Sequence, residues 1–164
     1  MDSITKIQMQ PVGVIRSSAS DDEIRDRSGE FESIIEIHRE YEEALDSLDG
    51  YSHIYILSYF HKLREEQVGP LKVKPRRLLR RGFKLENLPT VGIFALDSPT
   101  RPNPIGLSLV RILSRDGRRI VVSGLDCFDG TPVLDIKPYN GEYKADQYSL
   151  PSWYSDLIRK AGHV

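Results

Sequence analysis

The sequence predicts a mainly β, single-domain protein, either an all-β barrel or a β-rich α+β domain with short helices. Three observations predict it. Short runs rich in β-branched and aromatic residues recur with turn residues between them. Few stretches carry a helical period. An Asp116-Gly117 pair separates two apolar runs, which is a hairpin signature.

Taken in order, Gln8 to Arg16 reads as a strand, with Gly13 a bulge or close-approach point. Residues 17 to 30 are polar, charged and without an apolar period, which predicts a long loop. Phe31 to His38, with Ile34, Ile35 and Ile37, reads as a second strand. Tyr41, Leu45 and Leu48 sit at helical spacing before Gly50, which predicts a short helix over 41–48. His53 to Phe60 is a strongly apolar β run and reads as central. Leu63 to Gly69 suits a helical turn, and Leu71 to Leu88 reads as basic and irregular. Thr90 to Leu96 is a further expected strand. Gly106 to Arg115 and Arg118 to Leu125 form the hairpin, Thr131 to Ile136 another strand, and Trp153 to Ala161 a terminal helix with Trp153 and Leu157 inward. The expected core spans about residues 8–140, with the last helix near 152–162.

Length and composition narrow the class. A chain of 164 residues supports one domain with its own core. Charged residues make up 29% and hydrophobic residues 39%, an ordinary globular balance. Cys127 is the single cysteine, so neither an internal disulfide nor a cysteine zinc cluster can form. A reducing cytoplasm is the expected compartment. No apolar run reaches a membrane-span length, and no signal-peptide pattern opens the chain. No metal site is expected. The dinucleotide glycine fingerprint and the phosphate-loop Gly-Lys-Ser/Thr are both missing.

Two rigid polar strings carry the functional signal. The first runs Ser98-Pro99-Thr100-Arg101-Pro102-Asn103-Pro104-Ile105-Gly106-Leu107-Ser108. Each proline fixes its own φ and restrains the residue before it, which leaves Arg101 and Asn103 little freedom. Polar groups ordered before a ligand arrives bind it at lower cost. The second runs Leu125-Asp126-Cys127-Phe128-Asp129-Gly130-Thr131-Pro132-Val133-Leu134-Asp135-Ile136-Lys137-Pro138-Tyr139.

These strings, with Pro11-Val12-Gly13-Val14-Ile15-Arg16-Ser17 and Ser52-His53, resemble the signature of the TrmO-type tRNA methyltransferases over roughly residues 8 to 140. The resemblance implies a β-barrel, a homodimer with its site near the subunit interface, and S-adenosylmethionine as methyl donor. It implies N6 of N6-threonylcarbamoyladenosine, beside the tRNA anticodon, as acceptor. It places the cofactor near Asp26-Arg27-Ser28, His61, Lys62, Asp97, Asn103, Leu107 and the turn Asp126, Cys127, Phe128 and Asp129. Three departures stand out. Asp97 replaces the family's arginine before Ser-Pro, Asp26-Arg27-Ser28 replaces Pro-Arg-Gln, and Lys74-Pro75-Arg76 replaces His-Pro-Arg.

Each candidate also has a plainer reading. Lys72, Lys74, Arg76, Arg77, Arg80, Arg81 and Lys84 occur with no acid among them, while acids crowd between Asp21 and Asp49. The basic run reads as a phosphate-contacting arm for tRNA, joined by Lys137, or as a solvated loop. His53 reads as a half-buried hydrogen-bonded histidine rather than a chemical group. Asp135, in an apolar strand, is either catalytic or in a salt bridge to Lys137 or Arg101. Asp129, Asp135 and Tyr139 are the proton acceptors by residue type, unranked, and Arg101 and Lys137 suit a carboxylate. Tyr139, Tyr143 and Phe94 are available to stack a splayed base, although Phe94 reads equally as core. Cys127 reads as a buried small hydrophobe. The rival functions are a cofactor- or nucleic-acid-binding module without methyl transfer, and an S-adenosylmethionine-dependent enzyme acting on a small molecule.

Overall fold

The computed structural model describes residues 7–26 and 30–161. Its centre is a closed antiparallel barrel of six strands in the order β1-β2-β7-β6-β3-β8. The barrel strands are β1 (Gly13–Arg16), β2 (Glu32–Ile37), β3 (His53–Tyr59), β6 (Ile105–Asp116), β7 (Arg119–Ser123) and β8 (Pro132–Pro138). Two short strands, β4 (Lys72–Val73) and β5 (Val91–Gly92), pair outside it. Helix α1 spans Asp21–Asp26 and helix α2 spans Ser152–Lys160.

Period-two alternation builds the barrel. In β3, Ile54, Ile56 and Ser58 are fully buried, while His53, Tyr55, Leu57 and Tyr59 face outward. Ile15, Ile35, Val110, Ile120, Val122 and Val133 join Ile54 and Ile56 in one core. Closure removes exposed strand edges, which otherwise invite pairing with other chains. One register shift lies at the Leu57–Ser58 step, where Leu134 is the extra residue of β8. Two glycines permit close packing. A Cβ on Gly13 would lie 2.6 Å from the Glu36 carbonyl, and one on Gly106 would lie 2.6 Å from Ser58 Oγ and 2.8 Å from Phe60 Cζ.

Several expectations are corrected. The first strand is only Gly13–Arg16: residues 8–11 are exposed, and Val12, whose N–H donates to the Val133 carbonyl and whose carbonyl accepts the His38 N–H, packs against the core and leads into it. The expected loop after it contains α1. Ser20 and Glu23 cap that helix reciprocally: Ser20 N–H donates to Glu23 Oε2 at 2.9 Å, and Glu23 N–H donates to Ser20 Oγ at 3.3 Å. The expected helix at 41–48 is a 3-10 helix over Arg39–Leu45, with Leu45 buried and Tyr41 and Leu48 partly packed against the core. The strand expected over 90–96 stops at Gly92 and becomes a 3-10 turn, Ile93–Ala95, in which only Ile93 is buried. Phe94 is 85% exposed, so it is not a core residue. The hairpin holds, with Asp116 pairing Arg119 around Gly117-Arg118.

Candidate functional site

Strand direction decides which loops meet. The exits of β1 and β3 and the entries of β6 and β8 lie at one end of the barrel. That end therefore gathers residues 17–26, Phe60 to Lys62, the proline loop 98–104 and the turn 124–131. Local hydrogen bonds hold the arrangement: Phe60 N–H donates to the Pro104 carbonyl at 2.8 Å, and Gly130 N–H to the Ile15 carbonyl at 2.9 Å. Gly130 adopts φ 80°, a conformation that glycine takes without a Cβ penalty.

The turn Asp126 to Asp129 is the centre of the cluster. Asp129 Oδ1 accepts the Ser17 N–H at 3.1 Å. Asp126 Oδ1 accepts the Ser108 hydroxyl at 3.5 Å. The Phe128 ring has the Arg25 guanidinium 4.7 Å and the Lys62 ammonium 5.3 Å from its centroid. Lys62 Nζ also donates to both oxygens of Asp21, at 2.7 and 2.9 Å. Thus α1 is drawn over the turn by Arg25 on the Phe128 ring and by Asp21 on Lys62, a second cation at that ring. His61 Nε2 lies 3.7 Å from where a Cβ on Gly130 would sit. Desolvation and then the Lys62 charge hold His61 below the usual histidine range, against the opposing pull of Asp21 and Asp129.

Cys127 is buried, with Sγ 3.6 Å from Ser58 Oγ, and burial pushes its thiol up to about 11. It is therefore a protonated packing residue at neutral pH rather than a nucleophile.

The proline loop is ordered by its own arginine. Arg101 Nη2 donates to the Leu96 carbonyl at 3.2 Å, and the Asn103 carbonyl accepts the Ile105 N–H at 2.7 Å. Asp97 and the Asn103 side chain are solvent-facing at this barrel end. Asp26 pairs with Arg80, which brings the basic stretch beside α1. Arg27 and Ser28 lie outside the described residues.

Four of the candidates are elsewhere. Tyr139 follows β8, and its N–H donates to the carbonyl of His53, the first residue of β3. It therefore lies a full strand, about 20 Å, from Asp129. There it packs edge-on against Tyr55, which meets Tyr143 in the same way. Asp135 Oδ2 accepts from Lys137 Nζ at 2.9 Å, and this pair raises Lys137 above the ordinary lysine range. The pair sits on the outer barrel face, so Asp135 bonds Lys137 and not Arg101. Leu107 also faces outward, 63% exposed.

The basic stretch forms β4 and a 3-10 helix over Arg76–Arg81. Lys74 Nζ donates to the Leu85 carbonyl at 2.8 Å, which closes the segment on itself. No group of three or more His, Cys, Asp or Glu suits a metal among the described residues.

The comparisons agree with this architecture. The family model for the tRNA-methyltransferase O N-terminal domain matches residues 25–145. A protein of Methanothermobacter thermautotrophicus named a probable S-adenosyl-L-methionine-binding protein is 42% identical over 137 residues, covering 82% of this chain and 90% of that one. The rat tRNA (adenine(37)-N6)-methyltransferase is 39% identical over 121 residues, which are 74% of this chain and 26% of the rat protein. A crystal structure of TrmO superposes with a TM-score of 0.67 at 31% identity, and this chain spans 88% of itself and 64% of that chain in the match. The sequence, the barrel and the gathered loops lead to one assignment: the chain belongs to the tRNA-methyltransferase O N-terminal domain family.

Proposed function

We propose that this chain transfers the methyl group of S-adenosylmethionine to N6 of N6-threonylcarbamoyladenosine next to the tRNA anticodon. The observation that carries the reading is the meeting, at one barrel end, of the Arg101 loop and the Asp126 to Asp129 turn. These are the two strings in which the chain resembles the family. The names of the relatives support both the cofactor and the tRNA substrate.

The residues present fit the cofactor. The Arg25 and Lys62 cations already occupy the Phe128 ring, and the exposed Asp129 carboxylate of the same turn offers the negative charge that suits a positively charged sulfonium. Asp126, exposed beside it, suits an ammonium or ribose hydroxyls. When bound, S-adenosylmethionine would supply an electrophilic methyl carbon whose sulfur would leave with the bond's electron pair, so that N6 would have to give up a proton. Much of the rate comes from holding nitrogen, carbon and sulfur in line. The rigid proline loop performs that positioning. A carbamoylated nitrogen is more acidic than a plain amine, so a weak base suffices. His61, its pKa lowered and beside Gly130, and Asp129 are two groups at this end that can take the proton. The basic stretch beside α1 receives the tRNA backbone.

A homodimer through the outer face of β3 and β6 completes the reading. Tyr55, Tyr59, Leu107 and Leu109 share that face, with Leu107 63% and Leu109 46% exposed. Its apolar character suits a second copy. No helix among the described residues is long and apolar enough to cross a membrane, and tRNA as substrate suits a cytoplasmic site of action.

The test incubates the protein with methyl-labelled S-adenosylmethionine and two tRNA preparations, one bearing and one lacking threonylcarbamoyl groups. Label confined to the first, in an N6-methylated nucleoside, is the expected result. Cofactor binding without label in RNA points to a binding module. Label in a metabolite extract instead points to a small-molecule substrate.

A further inference from the structure

The turn at residues 81–87 and the last residue of α2 border a shallow, open surface cavity of about 340 Å³, lined by Arg81, Gly82, Phe83, Lys84, Asn87 and Lys160. Local structure explains why these side chains meet. Gly82, with φ 82°, ends the 3-10 helix in the left-handed conformation, and Phe83 N–H returns to the Leu78 carbonyl at 3.2 Å. The chain thus reverses and sets Phe83 and Lys84 beside Arg81. Lys160, in the last turn of α2, supplies the opposite wall.

Some neighbouring cations have partners, Arg80 with Asp26, Arg159 with Asp156 and Lys74 with the Leu85 carbonyl, whereas Lys72 and Arg76, which do not line the cavity, have none among the described residues. Arg81, Lys84 and Lys160 have no ion pair or side-chain hydrogen bond among the described residues. Glu86 lies in the same turn but does not line the cavity. Three uncompensated cations around one space repel each other, and an anion there relieves the repulsion. The cavity also offers an aromatic ring and a side-chain amide, which a bare phosphate does not use. A nucleotide uses all three: phosphate on the cations, base on the ring, base edge on the amide.

We propose that this cavity is a nucleotide-binding pocket of the RNA surface. Arg81, Lys84 and Lys160 hold backbone phosphate, Phe83 stacks an unpaired base, and the Asn87 amide bonds its edge. The proposal rests on tRNA being the substrate and deepens that reading. Lys160 lies beyond residues 25–145 matched by the family model, so α2 brings to the surface a contact outside the matched domain.

The experiment measures tRNA binding by fluorescence anisotropy across a sodium chloride series. It uses the parent chain and Arg81→Gln, Lys84→Gln, Lys160→Gln, Phe83→Leu and Phe83→Tyr, each checked by thermal melting. Each glutamine variant is expected to flatten the salt slope by about 0.7 to 0.9. Phe83→Leu is expected to weaken binding about tenfold with the slope unchanged, because stacking releases no counterions. Phe83→Tyr keeps the ring and should match the parent, which separates stacking from a folding defect. Parent-like affinity and slope in both Lys160→Gln and Phe83→Leu overturn the pocket while leaving tRNA as substrate. Displacement of tRNA by millimolar inorganic phosphate, abolished in Lys160→Gln, also overturns it in favour of a free-anion site. A parent chain that binds no tRNA at any salt concentration sinks the substrate reading and the pocket together.

Discussion

The backbone N–H of Ser17 donates to Asp129 Oδ1 at 3.1 Å, so the aspartate of the Asp-Gly turn is fastened to the exit of β1. A carboxylate oxygen used this way orients a loop as well as offering charge. Asp129→Asn keeps an acceptor oxygen, whereas Asp129→Ala removes it. Asparagine should preserve stability and S-adenosylmethionine affinity to within about threefold. Alanine should cost about 1 kcal/mol of stability and loosen the turn. Calorimetric titration and denaturant melts of both variants check this. Equal losses in the two would show that the charge, not the hydrogen bond, matters.

His61 gives a pH signature. Its folded pKa is lowered by desolvation and by Lys62. The unfolded chain therefore takes up this proton first as pH falls below about 6.5. His61 removes stability as pH falls from there to its depressed folded value, and contributes nothing at higher pH. Proton NMR should find its midpoint below the usual histidine value. Lys62→Gln should raise that midpoint and Asp129→Asn should lower it further. A midpoint unmoved by both changes would mean that neither charge is close in solution.

Gly106→Ala is a packing test. The added methyl would lie 2.6 Å from Ser58 Oγ and 2.8 Å from the Phe60 ring, closer than real contacts allow. Relief requires moving a fully buried serine or tilting the ring, so a loss of about 1–3 kcal/mol is expected. Thermal melting reads it directly. A variant as stable as the parent would show slack at the barrel end that holds the site.

The barrel strands were legible where alternation was clean, as in His53 to Tyr59, and where Asp116-Gly117 marked a reversal. Residues 93–96 misled because Ile93 alone is buried while Phe94 is out in solvent; composition suggested a strand that no neighbour completes. Helix α1 hid in a polar stretch, yet Ser20-Asp21-Asp22-Glu23 carried its capping box in plain sight. The candidate site was legible in kind, since both motif strings supply loops that meet at one barrel end. Spatial grouping was not, because a strand of seven residues separates Asp129 from Tyr139 within a single motif. The pairing of Lys62 and Arg25 on Phe128 depends on three segments distant in sequence, and no local pattern announces it.

The outer face of β3 and β6 makes a distinct prediction. Leu109→Asp places a carboxylate in the middle of an exposed apolar patch without touching the core, since Leu109 is 46% exposed. The barrel should stay folded by circular dichroism. Light scattering at micromolar concentration should give a dimer for the parent and a monomer for the variant, because a buried unpaired charge is costly at an interface. A monomeric parent would remove the dimer from the reading.

The basic stretch must be dissected with its internal partners in view. Arg80 is tied to Asp26 and Lys74 to the Leu85 carbonyl, so replacing either perturbs local structure as well as charge. Lys72 and Arg76 are exposed, with no such partner among the described residues. The informative variant is Lys72→Ala with Arg76→Ala. It should weaken tRNA binding at low salt and flatten the salt slope by about 1.5, while S-adenosylmethionine affinity stays within about twofold. Arg80→Ala should differ. It frees Asp26 at the end of α1, the helix whose Arg25 rests on Phe128, so cofactor affinity should fall together with tRNA affinity. If both variants change tRNA binding alone, α1 and the basic stretch are neighbours without being coupled. If the double variant leaves the salt slope untouched, the RNA docks on another face of the barrel.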